Sequence, residues 1–311
     1  MRCFSVLISV LSLLGATAAC SKTSTKGVEI DSKLGRYVPA NTTVLAGAAV
    51  QQITASAFYK RHENQLNLSV LNTASERLGL DPRRDITQIL IAWEGDNPLF
   101  LATGHFSSSQ LGPKLASSGD SKFTYRGQTL FGDANQAVYF PKQNIAVAGP
   151  VTALHRFIDT GRGGVPDSLA PRFDALPKAD QVWLVSSQGI PMDRVPLRSD
   201  AASALSNIAG YVTAASVGVG FDDGAHLHAD LVCLSPEGAK RVHDALRGMI
   251  GMARLMTRDN QMDMMRIYDA IKVDQDQQNV LVHADLSPEQ ADKLLAMLPA
   301  VNGRAEQLLN R

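Results

Sequence analysis

Short apolar runs alternate with stretches of helical period along this chain. Residues 43–50 (TVLAGAAV) are almost continuously apolar and predict a buried strand. Thr54 then stands as the N-cap of a predicted helix reaching about Leu78, with Leu68, Leu71, Ala74 and Leu78 in its apolar stripe. Gly79 takes the position after its end, and Asp81-Pro82 prevents continuation. Residues 86–93 (ITQILIAW) and 99–106 (LFLATGHF) predict two strands joined at Gly95-Asp96-Asn97-Pro98. Residues 122–132, 136–141 and 144–149 predict a short antiparallel meander, and 151–159 a closing helix.

Residues 161–178 (GRGGVPDSLAPRFDALPK) are rich in Gly and Pro and read as a connector, after which the same grammar restarts. Strands are predicted at 181–186 (QVWLVS), 212–221, 225–233, 271–274 and 279–285. Helices are predicted at 199–209, after the 225–233 strand, and from about Pro288. A short echo runs through this half. His228-Ala229-Asp230-Leu231 precedes Ser235-Pro236-Glu237, and His283-Ala284-Asp285-Leu286 precedes Ser287-Pro288-Glu289. Ser-Pro-Glu is a helix start: a serine N-cap, proline at N1 and a carboxylate favoured by the helix dipole. A third strand exit, Gly104-His105-Phe106, is similar in outline. The expected fold class is α+β, with two related halves arising by duplication, each a mainly antiparallel sheet with helices packed on one face.

The N-terminus has a different pattern. Met1-Arg2 is followed by an apolar stretch from Cys3 to Leu14 and small residues from Gly15 to Ala19. An apolar core of about 7–15 residues with a small-residue exit is a secretory signal, too short to span a bilayer. Ala16-Thr17-Ala18 fits cleavage before Ala19. Thr17-Ala18-Ala19-Cys20 resembles the lipobox of bacterial lipoproteins, with Thr17 where leucine is usual. That resemblance implies acylation of Cys20, a membrane anchor, and a place in the periplasm or cell envelope. The expected organisation is therefore a signal at 1–20, a tether at 21–40, a first half at 41–160, the connector at 161–178 and a second half at 179–311. Of three cysteines, Cys3 lies in the signal and Cys20 at its end, leaving Cys233 as a buried apolar residue of its strand. No disulfide framework is expected unless cleavage at Ala19 leaves Cys20 free to pair with Cys233.

Composition narrows the functional classes. Thirty basic residues balance thirty acidic ones, which gives no footprint for nucleic acid and no acidic array for cations. P-loop, H-E-x-x-H, G-x-S-x-G and S-x-x-K motifs are absent, and no cofactor is expected. Asp159-Thr160-Gly161 has the aspartic-protease triplet once, on a predicted helix, where Gly161 serves as terminator. Two constellations remain. His226, His228 and Asp230 alternate on one strand and so point the same way, as metal ligands could. Their pattern resembles the start of the HxHxDH motif of metallo-β-lactamase-fold hydrolases, departing from it at Leu231, and the resemblance implies zinc-dependent hydrolysis. Met249, Met252, Met256, Met262, Met264 and Met265 are six of nine methionines. Thioethers suit Cu(I), and flexible methionines equally line an adaptable groove. The reading preferred from sequence is a non-enzymatic envelope protein binding a protein partner or apolar ligand. A metal-dependent hydrolase and a copper-binding protein are the alternatives.

Overall fold

The structure, a computed structural model, describes residues 27–66, 80–95, 97–117, 121–161, 163–190, 206–257 and 261–297. The expected signal and Cys20 lie outside these residues.

Twelve strands form one wholly antiparallel sheet. In chain order they are β1 (Val44–Ala48), β2 (Ile86–Glu94), β3 (Asn97–Gly104), β4 (Ser121–Tyr125), β5 (Gln128–Gly132), β6 (Gln136–Lys142), β7 (Ile145–Pro150), β8 (Asp180–Ser186), β9 (Val212–Phe221), β10 (Ala225–Cys233), β11 (Ile271–Asp276) and β12 (Asn279–Leu286). Their spatial order is β11-β12-β10-β9-β8-β1-β2-β3-β7-β6-β5-β4. Strands β9 and β10 have the bounds their sequence predicts, and the remaining predicted strands are all found within a few residues. Ten helices accompany them among the described elements: α1 (Ser32–Gly35), α2 (Val50–Ala55), α3 (Ala57–His62), α4 (Pro82–Asp85), α5 (Ser108–Ser117), α6 (Val151–Thr160), α7 (Ala170–Asp174), α8 (Pro236–Leu255), α9 (Met262–Ala270) and α10 (Pro288–Met297).

Pairs opposed across an antiparallel ladder share a face. The front face therefore runs from Val185 and Trp183 through Leu45, Leu90 and Leu101 to Val147. Helices α1, α6 and α7 cover it with Leu34, Leu154, Phe157 and Phe173, forming the larger core. On the back face Leu231, Val273 and Val280 pack with Ala239 and Val242 of α8. A smaller group joins Phe58, Ile267, Leu286 and Ala291 beside them. The helices thus lie on both faces of one continuous sheet, where sequence reasoning expected each of two halves to have its own sheet with helices on one face. The cause is visible in β2: Leu90 and Ala92 point forward while Ile89, Ile91 and Trp93 point back, and a strand apolar on both sides must be covered on both.

Three further boundaries differ from expectation. The 21–40 segment is no tether from residue 27 onward, because Val28, Leu34, Tyr37 and Val38 are buried in the front core. Within 161–178, Leu169, Phe173 and Leu176 are buried, so this segment is a piece of core rather than a free connector. The helix expected from Thr54 starts at Val50 and breaks at Ser56, whose extended backbone and Oγ cap the amide of Tyr59 at 3.1 Å; its expected continuation through 67–78 lies outside the described residues.

The middle of the sheet is tightest at β1 and β8. Gly47 pairs with Trp183, and a Cβ on Gly47 would stand 2.2 Å from the indole. Phe173 meets that indole edge-on at 5.1 Å, so the ring cannot swing forward without losing its partner. Gly47→Ala is expected to destabilise the fold by about 1–3 kcal/mol by overpacking. Gly210→Ala, where an added Cβ meets nothing within 4 Å, should stay within about 0.5 kcal/mol. Urea unfolding of both variants checks the contrast.

Candidate functional site

The front face of the second flank leaves the apolar core and becomes a field of histidines and aspartates. His226, His228 and Asp230 share this face of β10, as their alternation predicts, but they do not converge. His226 Nδ1 lies 2.7 Å from Asp285 on β12, and its Nε2 lies 3.0 Å from Asp222 in the β9–β10 turn. His228 Nδ1 lies 2.9 Å from Asp180 on β8. Asp230 instead faces Arg172 of α7 at 3.7 Å. His283, opposite His228 in the ladder, is 3.9 Å from Asp274. Among the described residues no group of three or more His, Cys, Asp or Glu side chains is arranged to hold a metal ion.

These pairings set the local electrostatics. The hydrogen bond with Asp285, reinforced by Asp222, holds His226 above the ordinary histidine range. Asp285 is correspondingly held low by His226, and Asp222 by the Gly224 amide first and His226 second. Asp180 has a wholly buried side chain laid against Gly218, where any Cβ would come 2.1 Å from its Oδ2. Burial raises the Asp230 carboxyl, and Arg172 opposes that rise. Ser216 Oγ also donates to the Arg172 carbonyl at 2.8 Å. Arg172 therefore pins α7, from the expected connector, onto the second flank.

The six methionines are distributed among different environments. Met249 packs into the α8–sheet cluster and Met264 into the group around Phe58 and Ile267. Met265 is half-buried, whereas Met252, Met256 and Met262 are exposed. Cys233 is buried in β10 and has no disulfide partner among the described residues, from which Cys20 is absent.

The feature sequence reasoning missed is a cavity on the back face. It has a volume of about 720 Å³ and opens between α2–α3 on one side and α9–α10 on the other. Val182, Val219, Leu227 and Ala284 form its floor; Ile53, Phe58, Ile267 and Leu294 rise around it. No Asp or Glu lines it, and Met264 is the one lining residue drawn from the six methionines. Phe58 stacks on Phe221 at 5.3 Å, and the Phe58 amide donates to the Asp222 carbonyl at 2.7 Å, which seats α3 on the sheet. Asp292 of α10 reaches back to α3, 2.7 Å from His62 Nε2 and 3.3 Å from Arg61. That contact with His62 chiefly, and Arg61 less, keeps the Asp292 carboxyl low. The i, i+3, i+4 spacing of Ala291, Leu294 and Leu295 was the available signal for one wall. Nothing in the sequence shows that this stripe faces Ile53 and Phe58 across a gap.

No family model and no curated protein sequence matches this chain. Among solved structures it is similar to TP0453. Crystal form III of that protein superposes with a TM-score of 0.50 at 11% identity, covering 86% of this chain and 99% of that one. Form I gives 0.46 at 10% identity over 86% and 98%, and form IV gives 0.46 at 10% over 84% and 96%. At such identity the likeness is one of fold: mixed helix and strand, built on an antiparallel sheet.

Two outcomes test the electrostatics. A histidine raised in the folded state contributes stability that is complete below about pH 6.5 and is lost as pH rises through its folded value. His226→Gln should therefore flatten the fall in stability on the alkaline side of about pH 6.5, read from urea unfolding across a pH series. Arg172→Met leaves Asp230 buried without its cation and should cost about 3–5 kcal/mol, whereas adding Asp230→Leu should recover most of the loss. Denaturation midpoints of the single and double variants decide it.

Proposed function

We propose that this is an exported, lipid-anchored envelope protein without catalytic activity, whose work is to hold an apolar ligand in the back-face cavity. The cavity carries the reading. Its volume lies in the upper part of the range of about 300–1,000 Å³ usual for ligand sites, and its lining is mostly apolar, with Arg83 and His226 but no carboxylate. A hydrocarbon chain gains by leaving water at about 25 cal/mol per Å² buried, and Arg83 and His226 are the two basic side chains set in an otherwise mainly apolar wall. Export and anchoring rest on the N-terminal signal and on Cys20 in its lipobox-like setting. Among the described residues no helix is long and apolar enough to cross a membrane.

A duplication fits the strand order. The run β1-β2-β3-β7-β6 on one flank has the same antiparallel sequence as β8-β9-β10-β12-β11 on the other, and a helix (α5 or α8) follows the third strand in each. In this reading the cavity lies between the two copies, with its floor and the α9–α10 wall from the second and the α2–α3 wall from the first.

An anilinonaphthalene fluorophore titrated into the protein should bind and brighten. Ile53→Trp, which places an indole in the cavity from a partly exposed wall position, should weaken that binding roughly tenfold or more with the melting temperature preserved. Leu281→Trp on the opposite face should leave it unchanged. Equal affinity in all three proteins would overturn the reading.

A further inference from the structure

Helix α8 is longer than the sheet surface it covers. Its twenty residues span about 30 Å, its fully buried positions end at Val242, and its last packed residues are Met249 and Ile250. Beyond them the chain presents Met252, Leu255 and Met256 at 61%, 87% and 81% exposure, and α9 begins with Met262 at 55%. Four of the eight exposed large apolar side chains among the described residues thus fall where α8 ends and α9 begins, the tip of this helix pair. Polar residues would be the ordinary choice for an overhanging helix end in water.

We propose that this tip enters the surface of a lipid bilayer, independently of any N-terminal acyl group. Three observations favour a bilayer over a protein partner. Four side chains are far too few for a stable protein interface, which needs about 20–30 residues a side, yet a tip of this size suffices to seat a helix end among headgroups and upper acyl chains. None of the four is aromatic, whereas protein hot spots are built on Trp, Tyr and Arg. Exposed Arg247, Arg254 and Arg266 flank the tip on the same two helices, and their long stems let the guanidinium groups stay at headgroup level while the apolar residues descend. Arg254 and Arg266 already pair with Asp269 at 2.5 Å and Asp263 at 3.8 Å, so entry depends on apolar contact more than on anionic lipid. Helix α9 also lines the cavity through Met264 and Ile267, so a docked tip brings that opening beside the source of hydrocarbon ligands.

The test is flotation of the full chain carrying Cys20→Ser, which removes acylation, with phosphatidylcholine vesicles. The parent should float. Leu255→Glu with Met256→Glu should lower the vesicle-bound fraction roughly tenfold or more, because a carboxylate is costly in the acyl region. Fluorophore binding in the cavity should not change, so docking and the cavity reading fail separately. Leu255→Trp supplies a second measure: its emission should shift to the blue when vesicles are added. A parent that does not float, or a double-glutamate variant that floats equally, overturns the proposal. So does a parent that is dimeric in solution and becomes monomeric in the variant without ever floating, which would assign the tip to a second copy.

Discussion

The fold depends on how closely β1 and β8 approach at its centre. Trp183 can lie flat over Gly47 only because that residue has no side chain, and Phe173 then closes the indole from the front. This contact lets the second flank continue the hydrogen-bonded ladder of the first, so that twelve strands share one sheet. It also explains why residues 161–178 are not a free linker. Leu169, Phe173 and Leu176 must return over the junction to fill the space around the indole, and Arg172 goes with them to meet Asp230.

A sheet with central strands apolar on both sides needs two layers of helix, and the two layers are unequal. On the front, α1, α6 and α7 close over a core with many fully buried leucines and valines. On the back, α8 covers the outer strands while α2–α3 and α9–α10 approach from either side and meet only in part, around Phe58, Ile267 and Ala291. Asp292, His62 and Arg61 tie the gap at one place. What remains between the helices is an apolar space, and it is this incomplete coverage, rather than a set of reactive groups, that gives the protein a candidate site.

The histidines and aspartates of the second flank illustrate how a chemical motif can be absorbed into structure. Each histidine of β10 has its own carboxylate, drawn from a different strand or turn, and Asp230 has a cation. Such pairing satisfies charged groups on a half-exposed face and, at His226, couples titration to stability. It leaves the residues spread along the sheet rather than focused on one point.

Sequence by itself determined the strands, because period-two and continuous apolar runs are local signals, and it determined the caps at Ser235 and Gly161, because capping is a matter of a few neighbouring residues. It also showed which residues of β10 share a face. It did not reveal that 27–40 and 161–178 belong to the core, since Gly- and Pro-rich composition hides a few well-placed apolar side chains. Nor did it reveal the cavity, the dispersal of the six methionines, or the exposed end of α8. Those depend on which helix faces which across the sheet, and on how far α8 extends beyond the strands beneath it. Contacts between residues tens to hundreds of positions apart decide such matters, and a one-dimensional pattern carries no distance between them.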